Sequence, residues 1–231
     1  MSNQYEQSDS RTVALDRSGV DTRVSPLSTN RVLRNTYMLL AMTLATSAGV
    51  AALSAAMKWP HPGIVITLVG YFGLLFLVNK FRDSSAGVGL VFVFTGFLGY
   101  TLGPIISHYL GTANGTQHVA MALGGTAAVF VGLSAYAMTT KRDFSYLGSF
   151  IFVGVLVAFL AGLAAIFFQM PALSMAVSAM FVLLMSALIV FQTQQIINGG
   201  ETNYVMATVT LYVTIFNLFT SLLHLLGIGD D

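Results

Sequence analysis

The sequence contains no cysteine and few charged residues, and each shortage narrows what the chain can be. Without cysteine, disulfides, thiol chemistry and thiolate metal sites are excluded. Charged residues make up only 8% of the 231 residues, whereas an ordinary soluble domain carries about a quarter. Because 55% of the residues are hydrophobic, the composition predicts an integral membrane protein. A formal net charge of +1 argues against nucleic acid as a partner.

The beginning of the chain differs in composition from the rest. The first 34 residues are polar, so the sequence predicts no cleavable signal peptide. Residues 1–30 contain few large apolar side chains and mix four acids with three arginines, which is typical of a disordered segment. We therefore expect a disordered cytoplasmic tail over residues 1–30 and a membrane domain over residues 31–231.

The membrane domain contains seven apolar runs, each near the roughly 20 residues that a helix needs to cross a bilayer. The predicted spans are residues 36–57, 63–79, 86–109, 117–138, 146–169, 171–196 and 203–227. The sequence therefore predicts an all-α integral membrane protein built as a bundle of seven transmembrane helices.

Lysine and arginine predict the orientation of the bundle. Nine of the ten basic residues lie in the tail or in loops on one side of the predicted spans, and Lys58 alone lies on the other side. Because basic loops stay in the cytoplasm, the N-terminus is expected there. Seven crossings then place the C-terminus on the opposite side of the membrane.

The last predicted span carries a stripe of polar residues. At 3.6 residues per turn these residues fall on one side of the helix, opposite a surface of Val, Leu, Ile, Phe and Tyr. The stripe consists of Asn203, Thr210, Thr214, Asn217, Ser221 and His224. Because lipid cannot form hydrogen bonds, the stripe must face other helices or a water-filled cavity. We therefore expect this helix to stand inside the bundle, with the other spans around it.

Small residues at helical spacing predict close packing elsewhere. The third span contains Gly96, Gly99 and Gly103, which allow helix backbones to approach, and Pro104, which is expected to kink or break the helix near its outer end. The first span has a line of small polar residues: Thr36, Thr43, Ser47 and Ser54.

The predicted spans contain no Asp, Glu, Lys or Arg. A retinal protein needs an intramembrane lysine, and proton pumps and carriers usually depend on intramembrane carboxylates, so these classes are disfavoured. Calcium sites also prefer carboxylate oxygens, which the spans do not offer.

The sequence also does not favour an enzymatic function. Ser134 and His224 resemble the serine–histidine pair of an intramembrane protease, but the predicted topology places them at opposite membrane faces, and catalysis requires hydrogen-bond contact. Three histidines on the outer side (His61, His108 and His118) have no spacing that favours a metal site. We expect no enzyme activity, no cofactor and no metal.

Three segments resemble the signature of the Bax inhibitor-1 (TMBIM) family of membrane proteins. They are GFLG and LGPI within residues 96–105, the A…TAAVF pattern at residues 122–130, and LYVTIFNLF at residues 211–219. The resemblance covers roughly residues 28–228. It implies a seven-helix bundle (the Bax inhibitor-1 fold) in which the C-terminal helix is central and is wrapped by the other six.

Two further segments are similar to a bacterial branch of this family. They are residues 28–37, which include VLRNTY, and residues 199–204, which read GGETNY. The best-known member of that branch modulates the membrane-anchored AAA protease FtsH. The resemblance therefore implies a multi-pass protein of the bacterial inner membrane with a periplasmic C-terminus.

The family also implies a pH-sensitive calcium leak, which in some bacterial members is governed by two facing aspartates on helices six and seven. Those positions fall on Gln192 and Thr214 here, so both carboxylates are absent. Two apposed carboxylates can share a proton and titrate near neutrality, but a glutamine and a threonine cannot titrate. The expectation for this pair is one neutral hydrogen bond across the two helices.

These observations favour a regulator that lies in the lipid bilayer and binds, and inhibits, a membrane AAA protease such as FtsH. The alternative is a calcium or cation leak channel that is not pH-gated, although no intramembrane carboxylate supports calcium or protons as the transported ions. The core polar residues expected to matter in either case are Thr210, Thr214, Asn217, Ser221 and His224 on the last helix and Gln192 on the helix before it.

Overall fold

The computed structural model describes residues 26–227, with side chains from residue 31 onward, and this part of the chain consists of helices and short connections. The helices are α1 (Pro26–Ala56), α2 (Ile64–Lys80), α3 (Ser85–Leu110), α4 (Gly115–Thr139), α5 (Leu147–Phe167), α6 (Pro171–Ile197) and α7 (Tyr204–Gly227). They match the seven predicted spans to within a few residues, except that α1 begins inside the predicted tail. Residues 1–25 of that tail lie outside the described residues.

The helices form the bundle of a membrane protein. Six of those described are long and apolar enough to cross a bilayer, and α2, with 17 residues, is shorter. Large apolar side chains cover the outside of the bundle; Val65, Phe152 and Phe167 are 69%, 71% and 74% exposed. An apolar surface of this kind fits lipid and would be unfavourable in water.

The last helix is the most buried of the long helices. Half of the most apolar stretch of α7 is buried, compared with at most 39% for the other candidate spans. Its close neighbours are α1, α3, α4 and α6, while α2 packs on α3 and α5 packs on α6. The ring centroids of Phe72 on α2 and Phe159 on α5 lie 6.0 Å apart, so these two helices also contact each other. The helix is therefore central, but four helices surround it closely and two form an outer layer, in place of the expected ring of six.

The connections between helices lie at two opposite ends of the bundle. Asn203, at the start of α7, donates a hydrogen bond to the carbonyl oxygen of Arg82 after α2 (3.2 Å), and Gln194 near the end of α6 donates to that of Arg142 after α4 (2.7 Å). Lys58 follows α1 at the other end. We call the first of these the basic end, after its loop residues Lys80, Arg82, Lys141 and Arg142.

Candidate functional site

The polar stripe of α7 lies within the bundle, and two of its side chains donate hydrogen bonds inside their own helix. Thr214 is fully buried and Ser221 nearly so, while Thr210, Asn217 and His224 are partly buried. The Thr214 hydroxyl donates to the Thr210 carbonyl oxygen at 2.7 Å, and the Asn217 amide donates to the carbonyl oxygen four residues before it at 2.8 Å. Side chains satisfied in this way need neither water nor an ion when they are buried.

The expected hydrogen bond between Gln192 and Thr214 is not formed. Gln192 is buried on α6, but the hydroxyl of Thr214 uses its single proton on the carbonyl of Thr210. A helical threonine finds this acceptor one turn away. The hydroxyl oxygen could still accept a hydrogen bond, but none from the Gln192 amide reaches it. That Gln192 and Thr214 take the positions of a titrating pair stays a prediction.

A buried tyrosine that the periodicity assigned to the apolar side of α7 joins three helices. The hydroxyl of Tyr212 lies 2.6 Å from Ser47 Oγ on α1 and donates to the carbonyl oxygen of Thr95 on α3 at 3.2 Å. Since the phenol has one proton, Ser47 is the donor in the shorter bond. Tyr212 is 1% exposed. Its hydroxyl is therefore the polar centre of the α1, α3 and α7 contact.

The sequence contained one signal for this contact, the line of small polar residues on α1. All four of them are buried: Thr36, Thr43, Ser47 and Ser54. Thr208, one turn before the central tyrosine of α7, extends the contact, because its hydroxyl lies 3.3 Å from the Thr36 carbonyl oxygen and 2.7 Å from that of Tyr204. The line on α1 predicts a polar partner on a neighbouring helix but does not say which residue it is.

The glycines of α3 allow α1 to approach closely. A Cβ atom on Gly99 would collide with the backbone of Ser47, and one on Gly103 would collide with the side chain of Ser54. Gly96 lies at the margin of this contact, where the nearest atom would be 4.0 Å away. The predicted packing role therefore holds for Gly99 and Gly103. The sequence predicts a kink or a break at Pro104; a break is wrong, since α3 continues to Leu110, and a kink stays a prediction.

A second polar cluster lies at the end of the bundle opposite the basic end. The Nε2 atom of His224 on α7 lies 2.9 Å from the hydroxyl of Ser174 on α6, and its Nδ1 atom lies 3.4 Å from the hydroxyl of Tyr109 on α3. The imidazole thus links three helices through both ring nitrogens. The sequence does not pair His224 with these residues, because they lie 50 and 115 residues away in the chain.

Ser134, the candidate nucleophile of the sequence analysis, does not lie near His224. Ser134 lies five residues before the end of α4, toward the basic end, and its buried Oγ atom has no hydrogen-bond partner among the described residues. His224 lies near the opposite end of α7, where it bonds Ser174. Within the described part of the chain, no three His, Cys, Asp or Glu residues are grouped so that they could hold a metal ion.

Side chains of α6 and α7 fix the loops at the basic end. The Oδ1 atom of Asn203 caps α7 by accepting from the backbone N–H groups of Val205 (3.0 Å) and Met206 (3.1 Å). Its amide nitrogen donates to Asp83 Oδ1 at 2.7 Å. The Oε1 atom of Gln194 accepts from the backbone N–H of Phe144 at 3.1 Å, which holds the loop after α4. These loops are therefore presented in a defined arrangement.

A groove with a volume of about 1200 Å³ lies on the side of the bundle. Its walls are α1, α3 and α4, and α7 contributes the aromatic side chains of Tyr212, Phe216 and Phe219. Most of the lining is apolar. At one end it includes Lys58 and His108. We call this cavity the lateral groove.

Comparison with known proteins agrees with the architecture. Residues 29–231 match the family model described as "Inhibitor of apoptosis-promoting Bax1". The chain is 52% identical over 208 residues to "Modulator of FtsH protease YccA" of Escherichia coli strain K12, covering 90% of this chain and 94% of that protein. It is equally similar to "Inner membrane protein YccA" of E. coli O6:H1, and 43% identical over 222 residues (96% of both chains) to an "Uncharacterized membrane protein" of Vibrio cholerae.

Proposed function

Because the chain belongs to the Bax inhibitor-1 family, we propose that it is a regulatory protein of the bacterial inner membrane that binds and inhibits the AAA protease FtsH. The observation that carries this proposal is the 52% identity, over 90% of the chain, to a relative named as a modulator of that protease. The match covers 208 of the 231 residues, far more than the segments of the family signature.

The proposed orientation has all seven helices crossing the membrane, the basic end in the cytoplasm and the C-terminus in the periplasm. Support comes from the placement of charge: Lys80, Arg82, Lys141 and Arg142 lie at one end of the bundle, and Lys58 lies at the other. An ATP-driven protease has its motor in the cytoplasm. The basic end, together with residues 1–30, is therefore the proposed contact surface.

The geometry of the basic end suits a binding surface. Lys141 and Arg142 are exposed, and the backbone of their loop is held by the Gln194 side chain. Hydrogen bonds from the side chain and backbone of Ser145 lower the pKa of the exposed Asp143, so this carboxylate remains charged at neutral pH. Charged groups on a fixed loop lose little entropy when a partner binds.

The test is co-purification of the full chain with FtsH from the same membranes, combined with the half-life of a membrane-embedded FtsH substrate. We expect association and a longer substrate half-life. The variant Lys141→Glu with Arg142→Glu, or removal of residues 2–25, is expected to weaken both effects. Lys58→Glu at the opposite end is the matched control. Absence of association together with unchanged proteolysis would reject the proposal.

A calcium or cation leak is the alternative, and the core gives it less support. The positions expected to titrate hold Gln192 and Thr214, and the Thr214 hydroxyl is engaged within α7. Proteoliposomes with purified protein separate the two functions: a regulator gives no calcium flux above that of empty vesicles at any pH. A flux that is present and independent of pH would instead establish an ungated leak.

A further inference from the structure

The lateral groove owes its width to small side chains on α1. Five alanines of that helix line it: Ala48, Ala51, Ala52, Ala55 and Ala56. The lining of α1 runs from Leu44 to Lys58, which at 1.5 Å per residue is about 21 Å. Half of a bilayer's hydrocarbon core is about 15 Å thick. The groove is therefore long enough for the acyl chains of one leaflet and the beginning of the headgroup region.

Toward the basic end, the lining of the groove reaches only Leu44 on α1 and Val131 on α4. There the rings of Tyr37 on α1 and Phe130 on α4 approach to 6.0 Å between centroids. A helix that crosses the whole membrane cannot follow a groove that stops part of the way through the bundle. An acyl chain, which ends near the middle of the bilayer, fits such a groove.

The positively charged side chain of Lys58 lies at the other end of the groove, where the C-terminal cap of α1 fixes its backbone. The Trp59 N–H donates to the Ser54 carbonyl oxygen at 3.0 Å and the Lys58 N–H donates to that of Ala55 at 3.1 Å, which is the pattern of a Schellman cap. Lys58 takes the left-handed position of this cap, with φ of 52°. The fixed backbone places its side chain at the mouth of the groove.

None of the carboxylates of residues 31–227 lies at the mouth of the groove. Among the described residues the acids are Asp83, Asp143 and Glu201, and all three lie in loops of the basic end. The mouth also includes Ser107 and His108, which add hydrogen-bonding groups beside Lys58. A cation above an apolar groove is complementary to an amphiphile with an anionic head and an apolar tail.

We propose that the lateral groove binds an anionic phospholipid, with its acyl chains against α1, α3 and α4 and its phosphate at Lys58. In the proposed orientation this lipid belongs to the outer leaflet. The inference concerns a site on the bundle that is separate from the proposed protease contact at the basic end, and it does not depend on FtsH binding.

The first test uses the single tryptophan of the chain, Trp59, as a reporter beside Lys58. Full-length protein is placed in phosphatidylcholine vesicles that contain the same small mole fraction of either brominated phosphatidylglycerol or brominated phosphatidylcholine. One cation near an anionic headgroup corresponds to roughly five-fold local enrichment. We therefore expect clearly stronger quenching by the anionic lipid. Equal quenching by the two lipids overturns the proposal.

Two variants locate the effect. Lys58→Gln is expected to abolish the extra quenching by phosphatidylglycerol, whereas Lys141→Gln, which removes an exposed cation at the basic end, is expected to leave it unchanged. An excess that survives Lys58→Gln shows that the headgroup binds elsewhere and overturns the assignment.

The apolar part of the site is tested by filling it. The filled variant combines Ala52→Phe on α1 with Ala127→Phe on α4, which places two rings in the groove. The matched control combines Ala45→Phe with Ala135→Phe, at exposed positions outside the groove. Native mass spectrometry with added dioleoylphosphatidylglycerol is expected to show one retained lipid in the wild type and the control, and loss of that lipid in the filled variant. Unchanged lipid retention in the filled variant contradicts the proposal. Loss of a bound membrane protein instead of lipid identifies a protein segment as the occupant and also contradicts it.

Discussion

The hydroxyl of Tyr212 is expected to contribute measurably to the stability of the bundle. Tyr212→Phe keeps the buried ring and removes only the oxygen that bonds Ser47 and the carbonyl of Thr95. A neutral hydrogen bond contributes about 0.5–1.5 kcal/mol net, and bonds between membrane helices average about 0.6 kcal/mol. Because the substitution removes both hydrogen bonds and leaves the Ser47 hydroxyl buried without its acceptor, we expect the free energy of unfolding to fall by about 1–2 kcal/mol.

The measurement is reversible unfolding in mixed micelles with an increasing fraction of sodium dodecyl sulfate, followed by helical circular dichroism. Tyr146→Phe is the control, because that side chain is 73% exposed and no hydrogen bond of its hydroxyl is formed within the described residues. A double-mutant cycle with Ser47→Ala is expected to give a coupling of about 0.6–1.7 kcal/mol. Zero coupling, or a loss of stability no larger than that of the control, would refute the role assigned to this hydroxyl.

Three further changes test other parts of the bundle. Gly99→Ala adds a Cβ that collides with the α1 backbone, so we expect the free energy of unfolding to fall by about 1–3 kcal/mol in the same assay. The control is Gly132→Ala, whose Cβ faces open space; it is expected to leave the free energy of unfolding unchanged or to raise it by up to about 1 kcal/mol. Gln192→Asp with Thr214→Asp is expected to introduce pH-dependent flux or structure, and a flat titration would count against the assignment of these positions. Asn203→Ala removes the cap of α7 and is expected to lower stability by about 1 kcal/mol, seen first as faster amide exchange in the first turn of that helix.

The number and positions of the helices were accessible from the sequence because a bilayer imposes a length and an apolar composition on each span. The burial of Thr214 and Ser221 followed from the same constraint, since lipid cannot bond a polar stripe. The start of α1 was missed: the helix begins at Pro26, in polar sequence that hydropathy does not mark.

Partners across helices were not accessible in the same way. The periodicity placed Tyr212 on the apolar side of α7, although its hydroxyl is bonded to α1 and α3. It marked His224 without indicating that the imidazole bonds Ser174. The bond from Thr214 to Gln192, which the family resemblance implied, is replaced by one within α7. Helical periodicity describes one helix at a time, whereas a hydrogen bond between helices depends on how two helices are rotated and shifted against each other.

The sequence by itself therefore determined a seven-helix membrane bundle with a polar, buried last helix, because those features follow from local hydrophobicity and from the cost of exposing polar groups to lipid. Only the tertiary structure decided that four helices surround α7 closely, that Tyr212 is its central polar contact, and that α1, α3 and α4 line a groove with Lys58 at its mouth. These features arise from the packing of side chains that are distant in the chain. The alanines of α1 illustrate the reason: in the sequence they are ordinary membrane-helix residues, and they become the wall of a cavity only when α4 stands opposite them.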